Sequence, residues 1–279
     1  MDEVMELNPG LFVLVLLAAL LCQYLSISIG TGYGIIMAPL LLIMGFSALH
    51  VVPAILFSHL AGGIVGSVLH QRLGNIELGS RRTSETPENK KTGWIVSLLP
   101  QSVDARVVAI LAGCGVIGVL LGAFTAINIP GTALGIYIGI TVLVVGIMIL
   151  FYRGRKRDFS WKGLTVLGLI GGFNKGISGG TFVVMATGGQ IVAGREARSS
   201  LGSTTVAVTI VSAAGFLSYL LLGTDINWAL LAAASIGSVV AAPFAVLTVK
   251  KMPAGRLELA VGLATTMLGI ATLVKIIIA

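Results

Sequence analysis

The feature that most constrains this chain is a glycine-rich stretch that carries a lysine and is embedded in apolar sequence. Residues 171–181 read Gly-Gly-Phe-Asn-Lys-Gly-Ile-Ser-Gly-Gly-Thr and lie between the apolar runs 164–170 and 182–191. Each glycine in a helix interior costs about 1 kcal/mol relative to alanine. A lysine in the middle of a lipid bilayer costs roughly 3 kcal/mol on insertion scales. A stretch that keeps both predicts a functional break in a membrane helix.

A second glycine-rich motif lies earlier in the chain and indicates an internal repeat. Gly30-Thr-Gly-Tyr-Gly34 matches Gly176-Ile-Ser-Gly-Gly180 at an offset of 146 residues. The further pairs at this offset are Ser28 with Asn174, Ser58 with Thr204, and His59 with Thr205. Paired breaks in corresponding halves of a membrane protein point to the binding site of a transporter.

The composition places the chain in a lipid bilayer. Of its 279 residues 56% are hydrophobic and 10% are charged, whereas soluble domains carry about 25% charged residues. The net charge of +7 is explained by membrane orientation, and no nucleic-acid partner is predicted. Cys22 and Cys114 lie in apolar runs, and the three histidines lie apart without a Cys or Asp at ligand spacing. Neither a metal site nor a cofactor is therefore expected.

The lengths of the apolar stretches predict an all-α polytopic membrane protein with about 8–10 membrane segments, since a spanning helix needs about 20 residues. The stretches 33–46, 163–173 and 179–193 are too short to span comfortably. We therefore expect a helical hairpin over 163–193 and, by symmetry, another over 11–46. The stretch 11–29 is also long enough to span on its own, as are 51–70, 104–127, 133–152, 199–222, 227–249 and 258–278.

The distribution of positive charge predicts the orientation. Segments 71–106, 153–162, 194–198 and 250–258 hold 16 of the 18 Lys and Arg residues. If each hairpin enters and leaves on one side, all four segments share a side, which the positive-inside rule makes cytoplasmic. Both termini then lie on the outer side of the cytoplasmic membrane. Each half, 1–152 (with a polar cytoplasmic loop at 72–103) and 153–279, consists of one hairpin and three spanning helices. Three is an odd number, so the second half is inverted.

The residues at the two breaks predict an anion site. The helices that begin near Gly34 and Gly180 present free N–H groups and a partial positive charge at their N-termini, and such termini bind anions. Lys175 adds a full positive charge, and no acidic residue lies in either motif. The predicted substrate-binding residues are Ser28, Gly30, Thr31, Gly32, Gly34, Ser58, His59, Asn174, Lys175, Gly176, Ser178, Gly179, Gly180, Thr181, Thr204 and Thr205. His59 is also a candidate proton carrier, because an imidazole titrates near neutral pH.

These residues resemble those of the sulfite exporter TauE/SafE family. The resemblance rests on the motif 30–34 followed by Pro39, on 176–180 followed by Gly202-Ser-Thr-Thr, and on Asp225-Ile-Asn-Trp228. The chain departs from the family pattern at Phe57-Ser-His59, where an element similar to Gly-Thr-Ser is typical, and in its long 72–103 loop. The resemblance implies a secondary transporter that moves sulfite, organosulfonates or related anions by alternating access, and therefore not an enzyme.

Two alternatives remain open at this stage. An anion channel of the same architecture has the same sequence signature, and the sequence predicts neither the exact anion, the direction of transport nor the oligomeric state. Gly176-Ile-Ser-Gly179 also fits the Gly-x-Ser-Gly pattern of rhomboid intramembrane proteases, in which a histidine activates the serine. Here no histidine follows Ser178, so the protease is the less favoured alternative.

Overall fold

The structure is a computed structural model that describes residues 8–78, 102–126 and 160–251, together with isolated positions between 140 and 151 and between 253 and 274. The described part is helical throughout, as the sequence predicts. The predicted spans 133–152 and 258–278 lie largely outside the described residues, and so does most of the 72–103 loop. The eight continuous helices are α1 (Pro9–Ile29), α2 (Tyr33–Ile43), α3 (Ala48–Arg72), α4 (Val103–Thr125), α5 (Trp161–Ser178), α6 (Phe182–Val192), α7 (Ala197–Leu221) and α8 (Trp228–Lys251).

Five of these helices, α1, α3, α4, α7 and α8, are long and apolar enough to cross a membrane. Their outward faces carry large apolar side chains such as Leu17, Leu121, Leu221 and Phe244. Exposed apolar surface on this scale is stable only against lipid or another protein. The chain is therefore a polytopic α-helical membrane protein.

The two glycine-rich motifs do break the helices, and both breaks have the same form. Gly30 ends α1 and Gly179 ends α5, each in the left-handed conformation with φ of 80° and 70° respectively. Glycine adopts this conformation without the steric cost that a β-carbon brings. In both places the chain then starts a helix of 11 residues, α2 or α6. These are the two predicted helical hairpins.

The spacing between the two copies differs from the sequence alignment. The ends of α1, α2 and α3 recur in α5, α6 and α7 after 149 residues, for example at Ile29 and Ser178. Three pairs of glycines with positive φ have the same separation, namely Gly30 with Gly179, Gly45 with Gly194, and Gly74 with Gly223. The offset of 146 is thus wrong by three residues, because it aligns a helical glycine, Gly176, with the break at Gly30. The pairing of Ser28 with Asn174, of Ser58 with Thr204 and of His59 with Thr205 is wrong for the same reason.

The contacts between α3 and α7 relate the two halves. A β-carbon on Gly215 would lie 3.2 Å from Leu56, and one on Gly66 would lie 3.2 Å from Thr205. Addition of 149 to 56 and 66 gives 205 and 215, so the two contacts are equivalent. As the residue number rises along α3 it falls along α7, so these central helices run antiparallel. An inverted repeat requires this arrangement, although the last predicted span of each half lies largely outside the described residues.

The other long helices form two groups around this pair. Helix α1 runs parallel to α3, because Gly62 lies beside Gln23 and Gly66 beside Ile27. Helix α8 runs parallel to α1, because Gly237 lies beside Leu16 and Thr248 is hydrogen-bonded to Tyr24. In the same way, Gly115 beside Val211 and Gly215 beside Val119 show that α4 and α7 are parallel, and the packing of Gly172 and Gly176 on Gly115 and Val119 shows the same for α5 and α4. In each hairpin the second, short helix runs back toward the end of the bundle at which the first helix began. The two hairpins therefore enter the bundle from opposite ends.

The remaining glycines of the 171–181 stretch pack helices together and do not break them. A β-carbon on Gly172 would lie 2.2 Å from the carbonyl oxygen of Gly115, and one on Gly176 would lie 2.4 Å from that of Val119. Small residues at a spacing of four allow membrane helices to approach closely. The break is therefore confined to the last residues of the stretch, 179–181, since α4 holds the preceding glycines in helical geometry.

The helix directions place the basic residues at one end of the bundle. The end at which α3 and α8 finish is the end at which α4, α5 and α7 begin. Seven of the described basic residues lie there: Arg72, Arg106, Lys162, Arg195, Arg198, Lys250 and Lys251. The distribution of basic residues along the sequence predicts this shared end. Lys175 lies inside the bundle instead.

Candidate functional site

The two helix breaks lie in contact at the interface between the halves. A β-carbon on Gly34, in the first turn of α2, would lie 2.0 Å from the carbonyl oxygen of Gly179 and 2.9 Å from the α-carbon of Gly180. Gly32 in turn lies against Val184, in the first turn of α6. Each break also lies against a long helix of the other half, Gly30 against Leu201 and Gly179 against Ile55. The starts of the two short helices are therefore held close together.

Lys175 lies next to this contact and is fully buried, with 0% of its surface exposed. Its Nζ lies 3.1 Å from His59 Nδ1 on α3 and donates to the carbonyl oxygen of Gly179 at 3.3 Å. An ammonium group has three N–H donors. Two are used by these contacts, and the third has no partner among the described residues. His59 is 2% exposed, so the pair is closed off from bulk water.

Tyr33 extends this cluster toward α2. The ring of Tyr33 lies 5.3 Å from the imidazole of His59, measured between ring centroids. Its hydroxyl lies 2.9 Å from the Ser58 hydroxyl, and the Ser58 hydroxyl also donates to the carbonyl oxygen of Ile55. The Tyr33 ring therefore packs against the His59 imidazole. Two predicted site residues, Ser58 and His59, thus contact a tyrosine that was not among the predicted site residues.

No carboxylate neutralises the buried lysine in the described part of the chain. Its acidic residues lie at or beyond helix ends, and these are Glu77, Asp104, Glu196 and Asp225. Asp104 forms an ion pair with Arg195, and Asp225 lies 3.7 Å from the His50 imidazole. A buried charge without a counter-charge is strongly unfavourable. This arrangement suits a site whose counter-charge is supplied by a ligand.

Several buried polar side chains around the breaks have no hydrogen-bond partner among the described residues. They include the hydroxyls of Thr31 and Thr181, one in each break, and the side-chain oxygen of Asn174. The Thr187 hydroxyl, beside Gly30, belongs to the same group. More than nine in ten buried polar groups in native structures are paired with protein or water, so a cluster of exceptions needs an explanation. A polar ligand at the breaks would provide one.

The other predicted residues at the breaks form hydrogen bonds or packing contacts within the protein. The Ser178 hydroxyl donates to the carbonyl oxygen of Asn174 at 2.8 Å and accepts from the Gly180 N–H. Among the described residues no histidine contacts Ser178, because His59 is bonded to Lys175 instead. Ser28 donates to the carbonyl oxygen of Tyr24. Gly176 faces α4, and its carbonyl accepts a hydrogen bond from the Tyr219 hydroxyl.

Thr204 and Thr205 belong to a different region, nearer the basic end of the bundle. Thr204 accepts a hydrogen bond from the Gln190 side chain at 2.9 Å, and Thr205 bonds back to the Leu201 carbonyl. Gln190 also accepts from Arg195, which forms an ion pair with Asp104. Burial lowers the pKa of the Arg195 guanidinium, and the Asp104 carboxylate opposes that shift. The structure therefore divides the predicted site residues between the breaks and this second cluster.

Sequence reasoning missed three contributors to these clusters. Tyr33 is part of the glycine motif 30–34 but was interpreted only through its neighbouring glycines. Gln190 is fully buried and was an unremarkable polar residue in an apolar run. The Asp104–Arg195 pair joins residues 91 apart in sequence. Gln190 could have been predicted from the sequence, because a polar residue inside an apolar helix indicates a buried polar contact.

The bundle of spanning helices with two contacting breaks defines a multi-pass membrane protein, and paired breaks of this kind are typical of transporters. The family model described as sulfite exporter TauE/SafE matches residues 93–272. This range covers more than half of the chain, so the protein belongs to the TauE/SafE family, a family of transporters. The match begins after α3 and includes α4 to α8 with the second break. No curated protein and no solved structure matches the chain.

Proposed function

We propose that this protein is a secondary transporter of small sulfur-containing anions, such as sulfite or an organosulfonate, that works by alternating access. The observation that carries the proposal is Lys175, buried next to both breaks with an unused N–H donor and no carboxylate partner among the described residues. Family membership supports the substrate class, since the family model is that of a sulfite exporter.

The anion would be held by a small set of groups at the breaks. Lys175 supplies the positive charge and one free donor. The hydroxyls of Thr31 and Thr181 supply neutral donors, one from each half. The starts of α2 and α6 add backbone N–H groups and partial positive charge. Oxyanions suit such sites, because backbone and side-chain donors converge on their oxygens.

The arrangement of the helices supports alternating access. The antiparallel pair α3 and α7 relates the halves, and the hairpins enter the bundle from opposite ends. Contacts across the halves at the breaks, such as Lys175 with His59, join the two parts that would move relative to each other. In transporters built from inverted repeats, one repeat rocks against the other around a fixed central site. The glycines at the breaks allow the backbones to slide at close range.

We also propose the orientation. The end of the bundle that carries the seven basic residues faces the cytoplasm by the positive-inside rule. The N-terminus then lies outside the cytoplasmic membrane, because α1 runs toward the basic end. The charge count from the sequence and the helix directions support the same orientation.

Binding of the anion can be measured by thermal shift on the purified protein, because a ligand of the folded state raises its melting temperature. Sulfite, sulfate, thiosulfate, taurine and sulfoacetate are the test ligands. We expect at least one to stabilise the wild type but not Lys175→Ala. Lys162→Ala is the matched control, since Lys162 lies exposed at the start of the same helix. The proposal fails if no anion stabilises the wild type, or if Lys175→Ala responds as the wild type does.

Transport assays in proteoliposomes then separate a carrier from a channel. If the protein is a carrier, unlabelled anion inside the proteoliposomes accelerates the uptake of labelled anion by exchange. The uptake rate then saturates as the anion concentration rises. A channel dissipates the gradient without such exchange. Counterflow that depends on Lys175 but not on Lys162 is the expected result.

A further inference from the structure

We propose that His59 is a proton-binding site coupled to the charge of the transported anion. A dianion at Lys175 would bring one proton onto His59, whereas a monoanion would bring none. The inference rests on the proposed function, since it assumes that the anion binds at Lys175. It adds a second ligand, a proton taken from water, to the same site.

The hydrogen bond between the two side chains suits a charged lysine beside a neutral imidazole in the absence of the anion. Lys175 Nζ lies 3.1 Å from His59 Nδ1. A lysine ammonium has donors but no acceptor, so the imidazole must accept at Nδ1. Its proton is then on Nε2, and the ring is neutral. The pair therefore carries a single positive charge.

A single positive charge balances one negative charge on a bound ligand. A sulfonate, with one charge, neutralises Lys175 and leaves His59 unchanged. A dianion leaves one negative charge buried without a partner, and such charges are strongly unfavourable inside a bundle. Protonation of His59 at Nδ1 restores neutrality. The Nδ1–H bond forms with a proton from water, the hydrogen bond from Lys175 is given up, and both cations then face the dianion.

Among the titratable groups described on the helices around the site, His59 is the place for that proton once Lys175 is an ammonium. Helix α5 contributes Lys175, and α2 contributes Tyr33, whose hydroxyl bonds to Ser58. Cys22 of α1 belongs to the same buried cluster as Tyr33. Helix α7 contributes Tyr219, which donates to a backbone carbonyl. Imidazole is the side chain among these types that ordinarily gains a proton near neutral pH.

The proton site is present in one half only. At the offset of 149, the positions equivalent to Lys175 and His59 are Ser26 and Val208. Neither residue carries a charge, so the repeat does not supply a second pair. The inference therefore predicts one proton for each dianion.

Titration calorimetry on the full-length protein in detergent tests this directly. Thiosulfate is the dianion probe and ethanesulfonate the monoanion probe, because both keep their charge over the neutral pH range. Binding heats measured in two buffers of different ionisation enthalpy give the number of protons taken up. We expect about one proton for thiosulfate and none for ethanesulfonate, with thiosulfate affinity falling about tenfold per pH unit as pH rises through neutrality.

Variants assign the proton to its residue. In His59→Asn the side-chain amide lies close to the position of Nδ1 and does not titrate. We expect the loss of thiosulfate affinity to exceed any loss of ethanesulfonate affinity, and thiosulfate to bind without proton uptake. His59→Gln repeats the test with a longer amide. The matched control is His50→Asn, near the start of α3 and beside Asp225, which should keep the uptake. Melting temperatures verify that each variant is folded.

The possible failures are distinguishable. If neither anion binds, the anion site itself is wrong and the proposed function falls with this inference. If thiosulfate binds without proton uptake, or if only ethanesulfonate binds, the inference is overturned and the anion site stands. Proton uptake that persists in both His59 variants places the proton elsewhere and also overturns it.

Discussion

The carbonyl oxygen of Gly179 lies 2.0 Å from the point at which a β-carbon of residue 34 would be. The two residues belong to different halves of the chain, one at the end of α5 and the other in the first turn of α2. Real β-carbons do not approach a carbonyl oxygen this closely. The absence of a side chain at residue 34 is therefore what allows the two breaks to touch.

Substitution of Gly34 by alanine should separate the breaks. The added methyl group meets backbone atoms, which cannot rotate away, so we expect a loss of about 1–3 kcal/mol in the free energy of unfolding. Anion binding and transport should fall with it. Gly113→Ala is the control, since nothing lies within 4 Å of its β-carbon position on α4, and alanine there should be neutral or stabilising by about 1 kcal/mol. A Gly34→Ala protein with wild-type melting temperature and transport would contradict the contact.

Gly176 should act as a packing residue. A β-carbon there would lie 2.4 Å from the Val119 carbonyl and 2.9 Å from the α-carbon of Gly122. We expect Gly176→Ala to lower the melting temperature, because α4 must move away from α5. The rise in melting temperature on addition of the anion should remain, since this face of Gly176 is turned from the breaks. Loss of that rise in a protein of normal stability would show instead that Gly176 contacts the substrate.

Replacement of Lys175 by methionine should raise stability and abolish anion binding. The two side chains have similar length, but methionine brings no buried charge to the interior. Removal of an uncompensated buried polar group stabilises by about 1–3 kcal/mol, offset in part by the lost bonds to His59 and Gly179. Lys162→Met, at the exposed start of the same helix, should change neither property. A destabilised Lys175→Met protein would indicate that the lysine is needed for the fold, and not mainly for its ligand.

The carboxylate contacts at opposite ends of the bundle should differ in strength. The side chains of Asp104 and Arg195 are 13% and 10% exposed, whereas that of Asp225 is 77% exposed. Asp104→Asn removes the carboxylate that faces the largely buried Arg195 guanidinium, so we expect a loss of about 3–5 kcal/mol in stability. Asp225→Asn should cost less than about 1 kcal/mol, because water screens the exposed pair. Chemical or thermal unfolding of both variants checks the ranking, which equal losses would contradict.

The sequence predicted the helices well because their cause is local. A run of about 20 apolar residues without charge forms a membrane helix whatever its neighbours are. The predicted spans 51–70, 199–222 and 227–249 agree within a few residues with α3, α7 and α8. The breaks were also predicted, because glycine and lysine are costly in such a run.

The register between the two halves was not predicted correctly, and the reason lies in the glycines themselves. Gly176 and Gly179 look alike in sequence. The first is helical because α4 packs against it, and the second ends the helix with a positive φ. An alignment of glycine motifs cannot distinguish a packing glycine from a capping glycine, since that difference depends on a helix far away in the chain. The error of three residues in the offset follows from this.

The sequence by itself determined that this chain lies in a membrane, that two glycine motifs interrupt its helices, and that its basic residues lie at one end. These properties depend on composition and on spacing along the chain. Only the tertiary structure decided which polar residues meet. His59 and Lys175 are 116 residues apart, and they touch because α3 packs across the hairpin of the other half. Thr204, which the offset of 146 aligns with Ser58, instead accepts a hydrogen bond from Gln190, because a shift of three residues moves a position by about 4.5 Å along its helix.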